Sequence, residues 1–314
     1  MNECEATIQS LTRRDFLKAS TAVAAALGLK ASGVLRVEEA LGLESSLGGV
    51  PVVWLQALTC TGCSVSLLNS AYFATIDDLL VNSLDLNYHP NLMAAAGQMA
   101  VSAAEDAYTK GGYVLVVEGA IPQAAGGRYC YVWPGMTAQA AVTRYASRAG
   151  FILAVGTCAS YGGMAAGKPN PTGAAGLDAY YGSTRVIKIP GCPIHPDWVV
   201  GTIAYLLANK VAPSLDAYGR PTEYFGRKLH GRWCPYYDGE EIGMLGQVGC
   251  AREIGCKGPE TYCDCNQRMW NCGGAGQKGV NWCVGAGSPC LGCTQPNFPD
   301  GMSPFYQLEG GGGD

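Results

Sequence analysis

The distribution of the cysteines constrains the fold of this chain more than any other feature of its sequence. Nine of the fifteen cysteines lie after residue 212, in a stretch where hydrophobic periodicity fades and Gly and Pro are frequent. Such a segment has too little patterned apolar sequence to fold on a hydrophobic core alone. We therefore predict a separate domain at residues 213–314 whose stability depends on bound metal or on disulfides.

The preceding segment, residues 47–212, has the opposite character. Continuous apolar runs alternate with stretches of helical period, which is typical of a parallel sheet covered by helices on both faces. The predicted strands are 50–58, 81–87, 113–117, 151–155 and 185–189, and the predicted helices are 64–80, 91–110, 137–149 and 197–209. We expect an α/β domain of the flavodoxin-like class, with ligands beyond the carboxyl ends of its strands.

Cysteines follow three of these predicted strands. Cys60 and Cys63 form a C-x2-C turn after the first strand, Cys158 follows the fourth, and Cys192 follows the fifth. Carboxyl ends of parallel strands meet at one edge of a sheet, so we expect these four thiols to converge. Two thiolates on one tight turn suit a metal centre better than a cross-link between distant elements. Spacing alone favours iron–sulfur clusters and leaves zinc and disulfides open.

The first thirty residues have the pattern of an export signal. Thr12-Arg13-Arg14-Asp15-Phe16-Leu17-Lys18 precedes an apolar run at residues 19–29 that is too short to span a bilayer. Paired arginines before such a run resemble a twin-arginine export signal, which implies a periplasmic cargo exported already folded. We assign residues 1–46 to this signal and a linker. No later run of 18 apolar residues occurs, so we expect no membrane span.

The charge of the chain excludes one class of partner. Charged residues make up only 15% of the sequence and the formal net charge is -4. A nucleic-acid-binding protein needs a basic surface, which a chain this poor in Lys and Arg does not provide. We therefore expect no nucleic-acid partner.

Seven motifs carry a resemblance to a known family. They are CTGCSVSLLN from Cys60, VEGAIP from Val117, GTCASYGG from Gly156, PGCPIHP from Pro190, GCKGPETY from Gly255, VNWC from Val280 and PDGMSPFY from Pro299. In this order the chain resembles the small subunit of a periplasmic nickel–iron hydrogenase, close to the nickel–iron–selenium subgroup with a four-cysteine medial cluster. The resemblance implies an electron-transfer subunit of a heterodimer that converts H2 to and from two protons and two electrons. The catalytic metal site lies on the large subunit, so we expect no catalytic residue here.

The resemblance also implies three iron–sulfur clusters as cofactors. The implied ligands are Cys60, Cys63, Cys158 and Cys192 for a proximal [4Fe–4S] cluster, Cys265, Cys283, Cys290 and Cys293 for a medial cluster, and His230, Cys234, Cys250 and Cys256 for a distal [4Fe–4S] cluster. Many relatives carry Pro at the position of Cys283 and a [3Fe–4S] medial cluster. With four thiolates available, we expect [4Fe–4S] here, with [3Fe–4S] as the alternative.

Several residues depart from the family pattern or have two interpretations. Three residues separate His230 from Cys234 where the family has two, so either this loop bulges or one of the pair is replaced, with Cys263 as the substitute. Cys130, Cys263 and Cys272 are otherwise interpreted as thiols without a role. Glu118 either takes part in proton transfer or hydrogen bonding at the edge of the cluster site, or it is a carboxylate that caps a helix. His195 either hydrogen-bonds a cluster sulfide or satisfies its own loop.

The expected redox partner is a c-type cytochrome or a similar carrier in the periplasm, reached through the distal cluster. Arg227, Lys228 and Arg232 flank His230 and would give this docking an electrostatic component. Two other functions stay open at this point. One is an iron–sulfur subunit of another respiratory complex without hydrogen chemistry, and the other is a secreted binding protein stabilised by zinc or disulfides.

Overall fold

The structure is a computed structural model that describes residues 50–181, 185–272, 274 and 276–306. The export signal assigned to residues 1–46 lies outside these residues. Nine strands occur within them: β1 (Val50–Gln56), β2 (Leu84–Tyr88), β3 (Val114–Glu118), β4 (Tyr131–Trp133), β5 (Met136–Thr137), β6 (Phe151–Val155), β7 (Val186–Ile189), β8 (Trp270–Cys272) and β9 (Gly279–Asn281). The α-helices are α1 (Gly62–Leu67), α2 (Ile76–Asp78), α3 (Gln98–Lys110), α4 (Ala138–Ala146), α5 (Gly156–Tyr161), α6 (Leu177–Tyr181), α7 (Pro196–Asn209), α8 (Thr222–Phe225) and α9 (Cys265–Arg268).

A five-stranded sheet organises the first part of the chain. Its strand order is β2-β1-β3-β6-β7, and every neighbouring pair is parallel. Counted along the chain, these strands are arranged 2-1-3-4-5, which is the flavodoxin-like order. The predicted fold class is confirmed. The two remaining pairs, β4-β5 and β8-β9, are short antiparallel ribbons.

Most predicted elements match, but the helix predicted at 64–80 is wrong as a single helix. It is interrupted between Leu67 and Ile76, and a π-helical turn at Leu79–Ser83 follows α2. The Ser70 hydroxyl donates to the Ala74 carbonyl at 2.8 Å, and the Thr75 side chain caps the start of α2. Such local hydroxyl contacts compete with the helical ladder, which explains the interruption.

Two hydrophobic clusters cover the two faces of the sheet. Side chains alternate along each strand, so Trp54 belongs to one cluster while its neighbour Leu55 belongs to the other. Helices α3 and α4 cover the Leu55 face, and α7 covers the Trp54 face. The cluster around Trp54 continues through Trp198 of α7 to Trp282, beyond the predicted boundary at residue 212. The cysteine-rich region therefore packs on this face of the sheet.

The cysteine-rich region is built mainly from turns. Within the described residues after Asn209, no helix or strand is longer than four residues. Its backbone hydrogen bonds lie mostly in loops, such as Ile242 N–H to the Cys250 carbonyl at 2.9 Å. Across the described ranges, none of the helices is both long and apolar enough to cross a membrane.

Candidate iron–sulfur cluster sites

The carboxyl edge of the sheet brings together the four cysteines predicted for the proximal site. Cys60 and Cys63 lie at the start of α1, Cys158 lies in α5, and Cys192 follows β7. A negative charge on Cys60 raises the pKa of Cys158, and one on Cys192 raises the pKa of Cys63, as expected for neighbouring groups. Cys60 and Cys192 are exposed, whereas Cys63 is buried.

Two glycines allow the backbone to approach these thiols. A Cβ atom at Gly156 would lie 2.6 Å from the Cys63 sulfur, and one at Gly163 would lie 2.9 Å from the Cys158 sulfur. Both glycines also have positive φ angles, 86° and 48°, which other residues adopt only with strain. The proximal cysteines therefore sit in a backbone cradle that a side chain would fill.

Glu118, the last residue of β3, anchors the C-x2-C turn to the sheet. Its fully buried carboxylate accepts hydrogen bonds from the backbone N–H groups of Cys63 at 3.2 Å and Ser64 at 3.3 Å. Its other donors are the Thr59 hydroxyl at 3.0 Å, the Trp54 indole at 3.0 Å, the Gln56 amide at 3.2 Å and the Ser64 hydroxyl. These contacts support the capping interpretation of Glu118, with a neighbouring strand supplying the cap to α1.

The thiols of the proximal site resist ionisation in the protein alone. Burial and the nearby negative charge of Glu118 raise the pKa of Cys63 well above its usual value. Burial, followed by the charges of Cys158 and Cys60, raises the pKa of Cys192 to about 11. Thiolates at this edge therefore need a cationic centre to stabilise them, because desolvation and mutual repulsion both oppose their charge.

The side chain of His195 bonds to its own loop and to the cysteine-rich region, which leaves neither ring nitrogen for a cluster sulfide. Its Nδ1 atom accepts a hydrogen bond from the Asp197 N–H at 3.2 Å, which caps α7. Its Nε2 atom lies 2.6 Å from the Met269 carbonyl, so Nε2 carries the proton and donates it there. Both ring nitrogens are thereby occupied, and the ring joins α7 to the cysteine-rich region.

The four residues predicted for the distal site line one pocket. His230, Cys234, Cys250 and Cys256 all face it, together with apolar side chains such as Trp282. The loop from His230 to Cys234 accommodates its extra residue by forming a turn. In this turn the Cys234 N–H donates to the Gly231 carbonyl at 2.7 Å. The bulged loop therefore keeps both side chains on the cavity.

The imidazole of His230 is poised to act as a neutral ligand. Burial, and then the positive charge of Arg252, lower its pKa. A neutral imidazole has a free nitrogen lone pair, which metal coordination requires. Gly258 lies close to both His230 and Cys256, since a Cβ atom there would be 3.1 Å from the His230 Cβ and 3.4 Å from the Cys256 sulfur. Gly258 thus lies where the backbone comes close to two of the predicted distal ligands.

A fifth cysteine, Cys263, influences the pKa values of the four cysteines predicted for the medial site. The four predicted members are Cys265, Cys283, Cys290 and Cys293, and Cys263 is the addition. Interaction with the Cys263 thiol is the largest cause of the raised pKa of Cys265, followed by burial. For the other three members, burial raises the pKa most and the charge of Cys263 adds to it.

The position of Cys263 bears on the distal site as well. Cys263 is not among the described residues that line the distal pocket with His230, Cys234, Cys250 and Cys256. Its place as a substitute distal ligand stays a prediction.

The two other cysteines without a predicted role lie apart from these sites. The Cys272 thiol donates to the carbonyls of Gly274 and Gln277, at 2.8 and 2.7 Å, inside the β8–β9 ribbon. Cys130 packs against the hydrophobic cluster around Leu55. Neither contact assigns these thiols a function.

The three groups of cysteines contact one another in a row. The hydroxyl of Thr157, the residue before proximal Cys158, donates a hydrogen bond to the carbonyl of medial Cys293. At the other end, the N–H of medial Cys290 donates to the sulfur of distal Cys256 at 3.3 Å. The groups are therefore joined through protein atoms in the order proximal, medial, distal.

The donor set fits clusters better than single ions or cross-links. All fourteen described cysteines are free thiols. Within the described ranges, no three His, Cys, Asp or Glu side chains are placed to share a single metal ion. In a cubane cluster each cysteine binds a different iron, so its ligands need not meet at one point. The cradle glycines and the convergent buried thiols suit such clusters.

Comparisons with known proteins give a consistent result. Residues 225–306 match the family described as the C-terminal part of the NiFe/NiFeSe hydrogenase small subunit, and residues 60–206 match the NADH ubiquinone oxidoreductase 20 Kd subunit. Residues 10–30 match the twin-arginine translocation signal. Each of the two regions thus matches a different family, and the family matched by residues 225–306 is named for hydrogenases.

Whole-chain relatives agree with these families. The periplasmic [NiFeSe] hydrogenase small subunit of Desulfomicrobium baculatum is 38% identical, covering 96% of this chain and 100% of that protein. The periplasmic [NiFe] hydrogenase small subunit 1 of Nitratidesulfovibrio vulgaris is also 38% identical, covering 95% and 94%. A crystal structure of the reduced, active Ni-Fe-Se hydrogenase from Desulfomicrobium baculatum superposes with a TM-score of 0.77 at 40% identity, covering 83% of this chain and 100% of that chain.

Proposed function

Because this chain belongs to the family of NiFe and NiFeSe hydrogenase small subunits, we propose that its three groups of thiols hold three iron–sulfur clusters in series. The chain is the electron-transfer subunit of a nickel–iron hydrogenase, an oxidoreductase heterodimer. Its twin-arginine signal directs it to the periplasm. The observation that carries the proposal is the pair of contacts from Thr157, beside Cys158, to Cys293 and from Cys290 to Cys256.

The proximal site is proposed to face the large subunit, whose nickel–iron centre performs the bond-making chemistry. Cys60, Cys63, Cys158 and Cys192 would hold a [4Fe–4S] cluster at this edge. Around it, Val65, Leu68 and Met164 are 55%, 41% and 57% exposed. Exposed apolar side chains around exposed thiols suit a permanent interface, which buries about 2,000 Å² or more in stable complexes.

The clusters, when bound, accept and donate single electrons; the residues hold them in place and set their environment. Cys265, Cys283, Cys290 and Cys293 provide four thiolates, which favours [4Fe–4S] at the medial site. Cys290 is buried, at 8% exposure, whereas Cys283 is exposed, so the protein shields only part of this site from water. His230 replaces one thiolate at the distal site with a neutral ligand, which removes a negative charge and raises the reduction potential there.

Metal analysis and EPR of the purified heterodimer test this assignment. We expect about twelve irons in the small subunit and an oxidised protein without a [3Fe–4S] signal. A strong oxidised [3Fe–4S] signal in intact protein would contradict the medial assignment. Cys283→Pro should create that signal, whereas Cys272→Ser, which changes a cysteine inside the β8–β9 ribbon, should leave the spectrum unchanged.

Electrons are proposed to leave at the distal site toward a c-type cytochrome or similar periplasmic carrier. Trp233 is 47% exposed beside the distal ligands, and the guanidinium groups of Arg232 and Arg227 lie over its ring at 4.7 and 5.7 Å. Trp and Arg are enriched among the hot-spot residues that contribute most of the binding energy at protein interfaces. The positive charges would steer an acidic face of the carrier toward His230.

Cytochrome reduction by the holo heterodimer tests this exit. Arg232→Gln should slow hydrogen-driven cytochrome reduction and weaken its dependence on salt, while hydrogen-isotope exchange stays unchanged. The matched control is Arg128→Gln, an exposed arginine in the sheet region. If both variants behave alike, the rim around Trp233 is not the docking surface. The alternative of a redox complex without hydrogen chemistry is disfavoured by the hydrogenase match over residues 225–306.

A further inference from the structure

We propose that Thr157 is a positioning residue for electron transfer, whose hydroxyl holds the segment of the medial ligand Cys293 against the proximal site. This inference rests on the proposed clusters and concerns a residue that binds no iron itself. The side chain of Thr157 is 1% exposed, so its hydroxyl bonds to the protein rather than to bulk water. A hydroxyl donates one hydrogen and accepts on its lone pairs, so it joins two backbone groups at once.

Thr157 is fixed relative to two of the predicted proximal ligands. It precedes Cys158 in α5, and it bonds to both backbone polar groups of Gly191, the residue before Cys192. The Thr157 N–H donates to the Gly191 carbonyl at 2.9 Å, and the Gly191 N–H donates to the Thr157 hydroxyl at 2.8 Å. This closed pair of hydrogen bonds joins the turn after β7 to the start of α5.

The hydrogen of the same hydroxyl reaches the medial site. The Thr157 hydroxyl donates it to the carbonyl of Cys293, which lies 136 positions later in the chain. The residue before α5 provides no side-chain cap to the helix, so the polar side chain at its start bonds to other segments instead. One hydroxyl therefore links the turns that carry Cys158, Cys192 and Cys293.

A second donor holds the same medial segment to the sheet region. Arg220 is buried, and its guanidinium donates to the carbonyl of Thr294, the residue after Cys293, at 3.2 Å. The residue before Arg220 accepts the N–H of Lys188 in β7 at 2.8 Å, so this donor starts from the edge of the sheet. Two consecutive carbonyls of the medial segment are thus bonded to the sheet region. Of these two bonds, the one from Thr157 starts beside a predicted cluster ligand.

The position of the medial segment matters because the rate of electron transfer between two centres falls steeply with their separation. Residues that orient metal ligands without binding the metal determine how precisely a site is held. Without the Thr157 hydroxyl, the Gly191 N–H and the Cys293 carbonyl both lose this partner. The medial segment then loses its direct bond to the proximal turns, and we expect it to move away from them.

EPR of the reduced holo heterodimer tests this role, because the magnetic interaction between two reduced clusters weakens as their separation grows. Thr157→Val keeps the shape of the side chain and removes the hydroxyl. It should lose part of the splitting that this interaction produces, at unchanged iron content. Thr157→Ser keeps the hydroxyl and should show the wild-type splitting. The matched control is Thr202→Val, since Thr202 is similarly buried and its hydroxyl donates to the Trp198 carbonyl within α7 at 2.6 Å.

Three results would overturn the proposal: wild-type splitting in fully loaded Thr157→Val, reduced splitting in Thr157→Ser, or an equal decrease in Thr202→Val. If Thr157→Val does not load its clusters, Thr157→Ala takes its place, because the smaller side chain leaves space for a water between the two backbone groups. Such a water has no covalent bond to α5, so the splitting should again decrease, and wild-type splitting would again overturn the proposal. Wild-type protein without magnetic interaction between two four-iron clusters would instead refute the cluster assignment itself.

Discussion

The two regions of this molecule use cysteine in opposite ways. In the sheet region, residues 50–209, four parallel pairings and two hydrophobic clusters define the backbone, and the proximal cysteines only occupy its edge. In the cysteine-rich region, residues 222–306, no described helix or strand exceeds four residues, yet seven of its nine cysteines are proposed ligands of the medial or distal cluster. The fold therefore positions the thiols in the first region, whereas in the second we expect bound clusters to stabilise the fold in addition to its packing on the sheet.

The largest expected effect comes from removing the clusters. Chelation of iron from the holo heterodimer should abolish amide-exchange protection over residues 222–306, because short turns cannot hold raised-pKa thiols together without metal. Strands β1, β3 and β6 should keep most of their protection, since their ladders do not involve cysteine. Hydrogen exchange read by mass spectrometry compares the two regions directly. Equal loss in both would show that they form one cooperative unit.

A second prediction concerns the joint between the regions. Arg268 of α9 is buried and pairs with Asp264 at 2.7 Å and with Asp197 of α7 at 3.2 Å. Arg268→Met should destabilise the holo complex by about 3–5 kcal/mol, because two carboxylates are left buried without their cation. Thermal unfolding of the holo complex measures the loss.

The matched control for the joint is Arg144→Met. Arg144 pairs with Glu105 on the surface of the sheet region, and their side chains are 40% and 34% exposed. Solvent screens this pair, so the control should cost less than about 1 kcal/mol. Equal costs for the two variants would show that the Arg268 cluster does not join the regions.

A third prediction sharpens the role of the sheet as scaffold. Glu118→Gln should lower the stability of the proximal site by about 2 kcal/mol, because an amide cannot accept from all the donors that converge on this buried carboxylate. Cluster loading at the proximal site, followed by EPR, should fall as well. Glu105→Gln is the control, since Glu105 lies near the surface. Full proximal loading in Glu118→Gln would contradict the scaffold role.

The smallest expected effect is a pH dependence confined to the sheet region. Burial lowers the pKa of His89 from 6.5 to about 4, against an opposing influence of Glu118. Below about pH 6.5, His89 is therefore protonated in the unfolded chain but stays neutral in the folded chain. The free energy of unfolding consequently decreases as the pH is lowered toward about 4. At about pH 5.5 the loss amounts to about 1 kcal/mol.

His89→Gln isolates this titration. The variant should flatten the fall in amide-exchange protection of β1 between about pH 6.5 and 4, while its protection above about pH 7 follows a constant offset from wild type. His89 receives the Asn91 N–H on Nδ1 at 3.1 Å, so its Nε2–H points to the Ser64 hydroxyl at 3.1 Å. An unchanged pH profile in His89→Gln would assign the acid sensitivity to other groups.

The features that could be predicted from the sequence are those that depend on residues close together in the chain. The apolar strands around Val116 and Leu153 and the cysteines that follow β1, β6 and β7 appear directly in the order of residues. The parallel arrangement then places those cysteines at one edge, because every carboxyl end meets there. The interruption of the helix at 64–80 could not be predicted in this way, because the contacts of Ser70 and Thr75 have no hydrophobic period.

Residue type and spacing were enough to define the fold class, the family and the predicted ligand residues. The meeting of groups that are far apart in the chain depended on three-dimensional packing, which joins Trp198 to Asp264 across 66 positions and Cys63 to Glu118 across 55. In a region of irregular turns, the sequence has no hydrophobic periodicity from which such contacts could be predicted. Packing and hydrogen bonding between distant segments set the direction of each side chain there.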